Sequence, residues 1–471
     1  MKLTNSRGKR SRMSLALVSL LVAGTAVFSN SPASAQTSSK GWTKLFDGKT
    51  LNGWKRVAGE ASYEVKDGTI VGTAVMNTPN TFLITEKEYG DFVLELDVML
   101  ESDQSNSGVQ TRSHYDPSGN NGKCRVYGRQ VEFDPSARAW SGGIYDEARR
   151  GWLYPLTLNP KAQQAFKVGE YNRVRIESIG NETKTWINGV PTAYVVDTLD
   201  DKGFIGLQVH SVSSAEQAGK KVYFKDIRIK TKDLKPTPFP AGVYVVNNVP
   251  NTLTDYETQH GWKLLFDGKS TKGWKGAYKT AFPEKGWQVQ DGMLTVLPAG
   301  GGESTNGGDI VTTDKYSAFD LSFDFKLTPG ANSGVKYFVT LSEHNPGSAI
   351  GLEYQVLDDK LHPDAKMGRD GNRTLASLYD LITADKQERF LRPIGEWNKG
   401  RVVVYPDNKV EHYLNGVKVL EYTRGAEEYR ALVANSKYKD WENFGEAPEG
   451  HILLQDHGNK VSFRSIKLKE L

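Results

Sequence analysis

The segment GLEYQVLDD (351–359) alternates so that Glu353, Gln355 and Leu357 share one face of an extended strand, with Leu352, Tyr354, Val356 and Asp358 on the other. A carboxyl and a carboxamide pointing the same way suit a surface that holds a sugar, whose hydroxyls need donors and acceptors together. Two histidines could move a proton near neutral pH. His412 lies in KVEHYLNG with apolar Val410 and Leu414 on its own side, a pattern shared with core histidines, and His457 lies in the turn LLQDHG. Tyr379 and Asp380 of SLYD, with Arg373 just upstream and Lys366 before it, add a phenol, an acid and two cations after the same strand. The turn NSGV offers Asn332, and Trp140, Trp152 and Trp441 fall in loop-like stretches where an indole can stack on a sugar ring. Trp42, Trp54, Trp262 and Trp274 read instead as core.

Two patterns look like chemistry and read better as ordinary surface. Asp358, Asp359, His362 and Asp364 could hold a divalent cation, but their loose spacing carries no metal signature and suits a solvated acidic loop. ELDVMLE (95–101) imitates a paired-acid glycosidase strand, yet Asp97 and Glu101 reappear as Asp324 and Thr328 in SFDFKLT, as the polar face of an alternating strand would.

The elements that must position these residues are strands, and they occur twice. GWTKLFDGKTLNGW (41–54) is answered by GWKLLFDGKSTKGW (261–274), YGDFVLELDVML by YSAFDLSFDFKL, NSGV (106–109) by NSGV (332–335), GIYD by SLYD, INGV by LNGV and GFIGLQVH by GHILLQDH. The order is kept while the offset drifts, so one domain is duplicated with unequal loops. Phe319, Leu321, Phe323, Phe325 and Leu327 alternate with polar residues, which is the period of a half-buried strand. In VYFKDIRIK (222–230) the apolar parity slips between Phe224 and Ile227, as a β-bulge requires. The only helical stretches are short, such as Glu427 to Ala434. The expected fold is all-β: two tandem antiparallel β-sandwiches of jelly-roll type, residues 41–230 and 260–471, joined by a Pro-rich linker at 231–259 that leaves each half free to fold alone.

Matching the copies by eye pairs His412 with Thr185 and Gln355 with Gln130, so that Gly128 stands for Glu353; the second copy also has extra residues around Lys437, Tyr438 and Trp441. Catalysis is therefore expected in the second copy.

The chain has 471 residues with 60 Lys or Arg against 56 Asp or Glu, a formal charge of +4. Lys2, Arg7, Lys9, Arg10 and Arg12 precede an apolar run from Met13 to Phe28 and an Ala33-Ser34-Ala35 motif. This is the pattern of a secretory signal peptide over residues 1–35, cleaved near Ala35, and predicts a secreted or periplasmic product with no membrane span. Its removal leaves the rest close to neutral, so nucleic acid and anionic membrane lose their electrostatic support as partners. The single cysteine, Cys124, excludes an intrachain disulfide and a Cys-rich metal site.

LFDGK–GW, NSGV, EYQVLDD, SLYD, GEWN, HYLNG and LLQDHG–VSFR together resemble the 3-keto-disaccharide hydrolase domain family, over about 43–230 and 261–470. The resemblance implies a concanavalin A-like jelly roll, places His412 in the family's cleft, and suggests an exported enzyme cleaving 3-keto-glycosides. A C3 ketone acidifies the C2 proton, so a base (His412 or His457) could remove it. The enolate, steadied by Arg373, Lys366 or a metal, would expel the C1 substituent with help from Glu353 or Tyr379. Asp380 completes the expected catalytic group, with Asn332, Gln355 and Trp441 as sugar contacts. A small carbohydrate is the expected partner, with no obvious protein partner; no cofactor is required, although a divalent metal is compatible. The rival reading is a non-catalytic, lectin-like glycan binder.

Overall fold

The computed structural model describes residues 37–38, 41–120, 123–300, 302–345 and 348–471. The expected signal peptide lies outside these residues. Among the described residues no helix is long and apolar enough to cross a membrane.

Both halves are antiparallel β-sandwiches built the same way. In the first, the sheet containing Phe92–Leu100, Asn172–Ile179, Glu182–Ile187 and Lys221–Lys230 faces the sheet containing Ser107–Asn120, Lys123–Phe133 and Phe204–Val209. In the second, Phe319–Leu327, Asn398–Val404, Lys409–Leu414 and Val461–Glu470 face Asn332–Asn345, Ser348–Leu357 and His451–Leu454. The alternating apolar residues meet between the sheets: Leu94, Leu96, Val98, Val109 and Leu207 in one core, Leu321, Phe323, Phe325, Val335 and Tyr354 in the other. Burial of these faces is the main stabilising term for such sheets.

The parity slip in VYFKDIRIK is a bulge, with a register shift between Lys225 and Arg228 and Asp226 at φ 51°. Ser465 occupies the equivalent place at φ 52°. The acids of ELDVMLE are structural: Glu95 binds Arg175 and Arg228, Asp97 binds Arg173, and Glu101 accepts from the Tyr223 hydroxyl.

The connecting segment does more than link. Val246–Asn247 adds a short parallel strand beside Val195 and Val196, and Thr254 and Glu257 form a capping box on the helix Asp255–Gln259. Glu257 also makes a buried ion pair with Lys467 of the second sandwich. Tyr244 receives a hydrogen bond from the Tyr154 hydroxyl at its carbonyl (3.0 Å) and donates its own hydroxyl to Ser322 (2.9 Å), touching both sandwiches. Around it Ile144, Leu156, Val246, Trp262, Phe390 and Val403 form one apolar cluster drawn from both halves. The passive linker expected from its prolines is in fact the middle layer of an interdomain core.

Candidate functional site

In the second sandwich, strand Ser348–Leu357 pairs with Asn332–Asn345 so that Gly334 opposes Gln355 and Lys336 opposes Glu353. Leu352, Tyr354 and Val356 enter the core, which leaves Glu353, Gln355, Lys336 and Asn332 on the outer face of the sheet. There they floor a cleft of about 240 Å³, walled by Tyr379, Tyr438, Trp441, Lys437, Gln455 and His457. A Cβ at 334 would come within 2.1 Å of Glu353 Oε1, so any larger residue there would displace the Glu353 carboxyl. The Gly of NSGV therefore makes room for the acid laid across it.

Burial pushes the Glu353 carboxyl up to about 7, although Lys336 and Lys437 pull against the shift. Lys336 is also buried, which opposes its charge, but Glu353 and Asp309 outweigh this and hold its pKa above the ordinary lysine value. Asp309 beneath them is pushed up to about 6 by burial. Three buried polar atoms of the lining have no protein partner: Asn332 Oδ1, Gln455 Oε1 and His457 Nδ1. Orphaned polar atoms converging on one cleft are what a ligand's hydroxyls would satisfy.

The wall is braced from behind. Asp380, at φ 60°, accepts from Arg373 Nε (2.6 Å) and from the backbone of Lys437 (2.8 Å). Arg373 also donates to Asp364 (3.1 Å), which accepts from the Tyr379 hydroxyl (2.9 Å). Lys437 stands at the rim with its ammonium 4.3 Å from the Tyr379 ring centre. The acidic loop is spent in similar pinning: Asp358 accepts from the backbone of Gly330, Lys360 and Leu361, and Asp359 pairs with Lys386. Among the described residues no group of three or more His, Cys, Asp or Glu is arranged to hold a metal ion.

Of the residues expected from sequence, Glu353, His457, Asn332, Gln355, Tyr379 and Trp441 meet in the cleft. Four do not. His412 is fully buried between the sheets, with Nε2 2.8 Å from the Tyr337 hydroxyl and Nδ1 3.0 Å from the Ala376 carbonyl. Burial lowers its pKa to about 4. It is a neutral core strut, as its apolar neighbours Val410 and Leu414 had hinted. Asp380 and Arg373 sit behind the wall and position it, and Lys366 is exposed outside the cleft. Trp140 is likewise core, packed edge-on against Trp152. Sequence reasoning missed Lys336, Gln455 and Glu303. Lys336 was detectable, two residues beyond Gly334 on the parity of Asn332; Glu303, in a glycine-rich loop, gives no local signal.

The strand register also corrects the match between copies. Gly108 opposes Glu132 and Gln110 opposes Gln130. Glu353 therefore corresponds to Gln130, Gln355 to Glu132 and Lys336 to Gln110. His412 does correspond to Thr185, whose hydroxyl donates to the Gly142 carbonyl (2.8 Å) just as the imidazole donates to Ala376.

The 3-keto-alpha-glucoside-1,2-lyase-like domain model matches residues 41–230 and 261–469. A 3-keto-disaccharide hydrolase of Bacteroides thetaiotaomicron is 38% identical over 232 residues, covering 45% of this chain and 79% of that protein. A solved candidate glycosyl hydrolase from Parabacteroides distasonis is 32% identical with a TM-score of 0.41, covering 47% of this chain and 99% of its own. A second from the same organism is 26% identical with a TM-score of 0.34, covering 45% and 99%.

Proposed function

Since the chain belongs, through both of its halves, to the 3-keto-alpha-glucoside-1,2-lyase-like domain family, we propose that it is an exported enzyme that cleaves 3-keto-glycosides in the cleft of its second sandwich. The observation that carries this reading is a buried carboxyl held up to about 7, Glu353, in the same cleft as an imidazole whose buried Nδ1 has no protein partner, His457. Titratable groups whose surroundings differ are how one site supplies both an acid and a base.

In this scheme His457 Nδ1 takes the C2 proton, and the electron pair moves to the C3 oxygen as an enolate. Lys336 and Lys437 offset the developing negative charge, in the role that sequence had offered to Arg373 and Lys366. The enolate then expels the C1 oxygen, which takes its proton from Glu353. Water adds at C1 of the enone, Glu353 recovers a proton from it, and His457, its proton exchanged with solvent, protonates C2. Bonds and charges balance, and no oxocarbenium ion or second carboxylate is needed. Trp441 offers a face for the sugar ring, and Asn332, Gln355 and Gln455 offer partners for its hydroxyls. The scheme runs on the chain's own side chains, so turnover is expected to survive EDTA. Export rests on the leader pattern of residues 1–35.

The test is incubation with a 3-keto-disaccharide in deuterated water. The expected result is release of reducing sugar, a transient enone absorbance and deuterium at C2 of the product. Saturable binding without cleavage would favour the lectin-like reading, and cleavage without deuterium at C2 would remove the elimination route.

A further inference from the structure

The first sandwich has a cleft at the place equivalent to the catalytic one, and its chemistry is different. About 260 Å³ is enclosed between Gln130, Glu132 and Gln208 on the floor and Tyr145 and Trp152 on one wall, near the lower end of small-molecule sites at roughly 300 Å³. The opposite wall comes from the second sandwich, as Arg389 and Phe390. Phe390 packs on Trp140 at 5.6 Å between ring centres, and Arg392 donates to the Trp152 carbonyl (3.0 Å). The cleft is thus complete only when the two halves are docked.

We propose that this cleft is a second carbohydrate site, one that holds a neutral sugar ring without cleaving it. Two unpartnered polar atoms ask for a ligand. Gln208 is fully buried, and its Nε2 has no acceptor although its Oε1 receives a bond from Gln130 (3.3 Å). Asn106 Oδ1, whose residue also lines the cleft, has no donor while its Nδ2 binds Glu132 (2.7 Å). A free donor and a free acceptor over one floor match the two faces of a hydroxyl group. Trp152, half-buried and steadied edge-to-face by Trp140 (4.7 Å) and Tyr145 (5.4 Å), is the stacking platform.

Charge and reactivity point the same way. The floor lysine of the catalytic cleft is here Gln110, bonded to Gln130 (2.7 Å), so no buried ammonium waits for an enolate. Burial pushes Glu132 and Glu147 up to about 7, which keeps them uncharged on the acid side of neutrality. Arg138 is already paired with Asp134, and Arg389, hydrogen-bonded to the neutral Gln387 amide, keeps its charge on the exposed edge of the wall. His210, the counterpart of His457, also lines the cleft, but its Nδ1 is spent on the Ser211 carbonyl (2.7 Å), so amides, protonated carboxyls and an indole are left to select a neutral ring.

The site does not depend on turnover next door, and the experiment separates the two. Full-length Glu353→Gln protein is titrated by calorimetry and tryptophan fluorescence with trehalose, sucrose, maltose, cellobiose and a glucuronide. At least one neutral disaccharide should bind saturably, and Trp152→Ala or Gln208→Leu should weaken that binding at least ~10-fold. Arg389→Ala should weaken it less, which would locate the trans wall. Binding of none of the neutral sugars, a preference for the glucuronide, or binding untouched by both Trp152→Ala and Gln208→Leu would overturn the proposal. Failure to cleave by the unmodified protein would count against the enzymatic reading alone.

Discussion

The two clefts sit on the same outer sheet face, over the same glycine turn, and differ in three floor positions. A Cβ at Gly334 or Gly108 would push aside the side chain laid across it, the first meeting Glu353 Oε1 and the second Gln130 Cδ at 2.5 Å. Glu353, Gln355 and Lys336 become Gln130, Glu132 and Gln110. The floor of each cleft keeps a buried carboxyl pushed up to about 7, yet that carboxyl has moved by two residues and lost its lysine. A duplicated scaffold can therefore preserve the burial that tunes an acid while changing the charge facing a substrate. The second cleft is also roofed by Lys437, Tyr438 and Trp441, which follow the helix Glu427–Ala434, whereas the first borrows its roof from its neighbour.

The largest effect should come from making the second floor resemble the first. Glu353→Gln or Lys336→Gln is expected to lower the rate of 3-keto-disaccharide cleavage by ~10²–10⁴-fold, while Glu132→Gln leaves it within about twofold, as a site without a role in the chemistry requires. Equal losses from Glu353→Gln and Glu132→Gln, measured as initial rates, would erase the functional contrast.

Next in size is the join between the copies. Lys467→Met strands the Glu257 carboxylate in the interdomain core, and breaking a buried pair in this way costs about 3–5 kcal/mol. Urea unfolding should show that loss, and separate expression of 36–235 and 255–471 should give halves that melt well below the intact chain. Halves as stable as the whole would mean that the shared cluster around Tyr244 contributes little.

The matched struts come third. His412→Ala removes a buried ring and leaves the Ala376 carbonyl and the Tyr337 hydroxyl short of a partner, a loss of about 2–4 kcal/mol. Thr185→Ala should cost about 1–2 kcal/mol. Neither should change kcat of the folded protein. A selective collapse of kcat in His412→Ala with unchanged stability would restore that histidine to the chemistry.

The smallest contrast is in pH dependence. Burial lifts Glu132, Glu147 and Glu353 from 4.5 to about 7. Between those values the folded chain binds more protons than the unfolded one, so stability falls as pH rises through the window. Burial moves His412 from 6.5 to about 4, so its contribution is lost as pH falls across that range. Glu132→Gln and Glu353→Gln should each flatten the falling limb of urea midpoint against pH. In the unmodified enzyme the rate should decline as pH rises through about 7, and only Glu353→Gln should remove that limb.

The repeats, the strand alternation, the bulge near Asp226 and the family were legible in the sequence because each is a local pattern. A period of two and a bulge leave their mark within a few residues. Glu353 and Gln355 were legible for the same reason, as one face of a single strand. Pairing of strands was not. Sliding one strand by two residues keeps every side chain on its face, so parity alone accepts a match of Gln355 with either Gln130 or Glu132. Only the hydrogen-bonded register, Gly334 with Gln355 and Gly108 with Glu132, separates them. Depth was also undecided, because His412 and His457 are the same chemical group on the chain. Packing between two sheets closes Tyr337 and Ala376 around the first and leaves Nδ1 of the second, at the cleft, without a protein partner. The sequence by itself determined which elements form and which faces are polar. The tertiary structure alone decided which polar groups meet across strands, which are sealed in the core, and that residues 231–259 bind the copies together, since each of these depends on contacts between segments far apart in the chain.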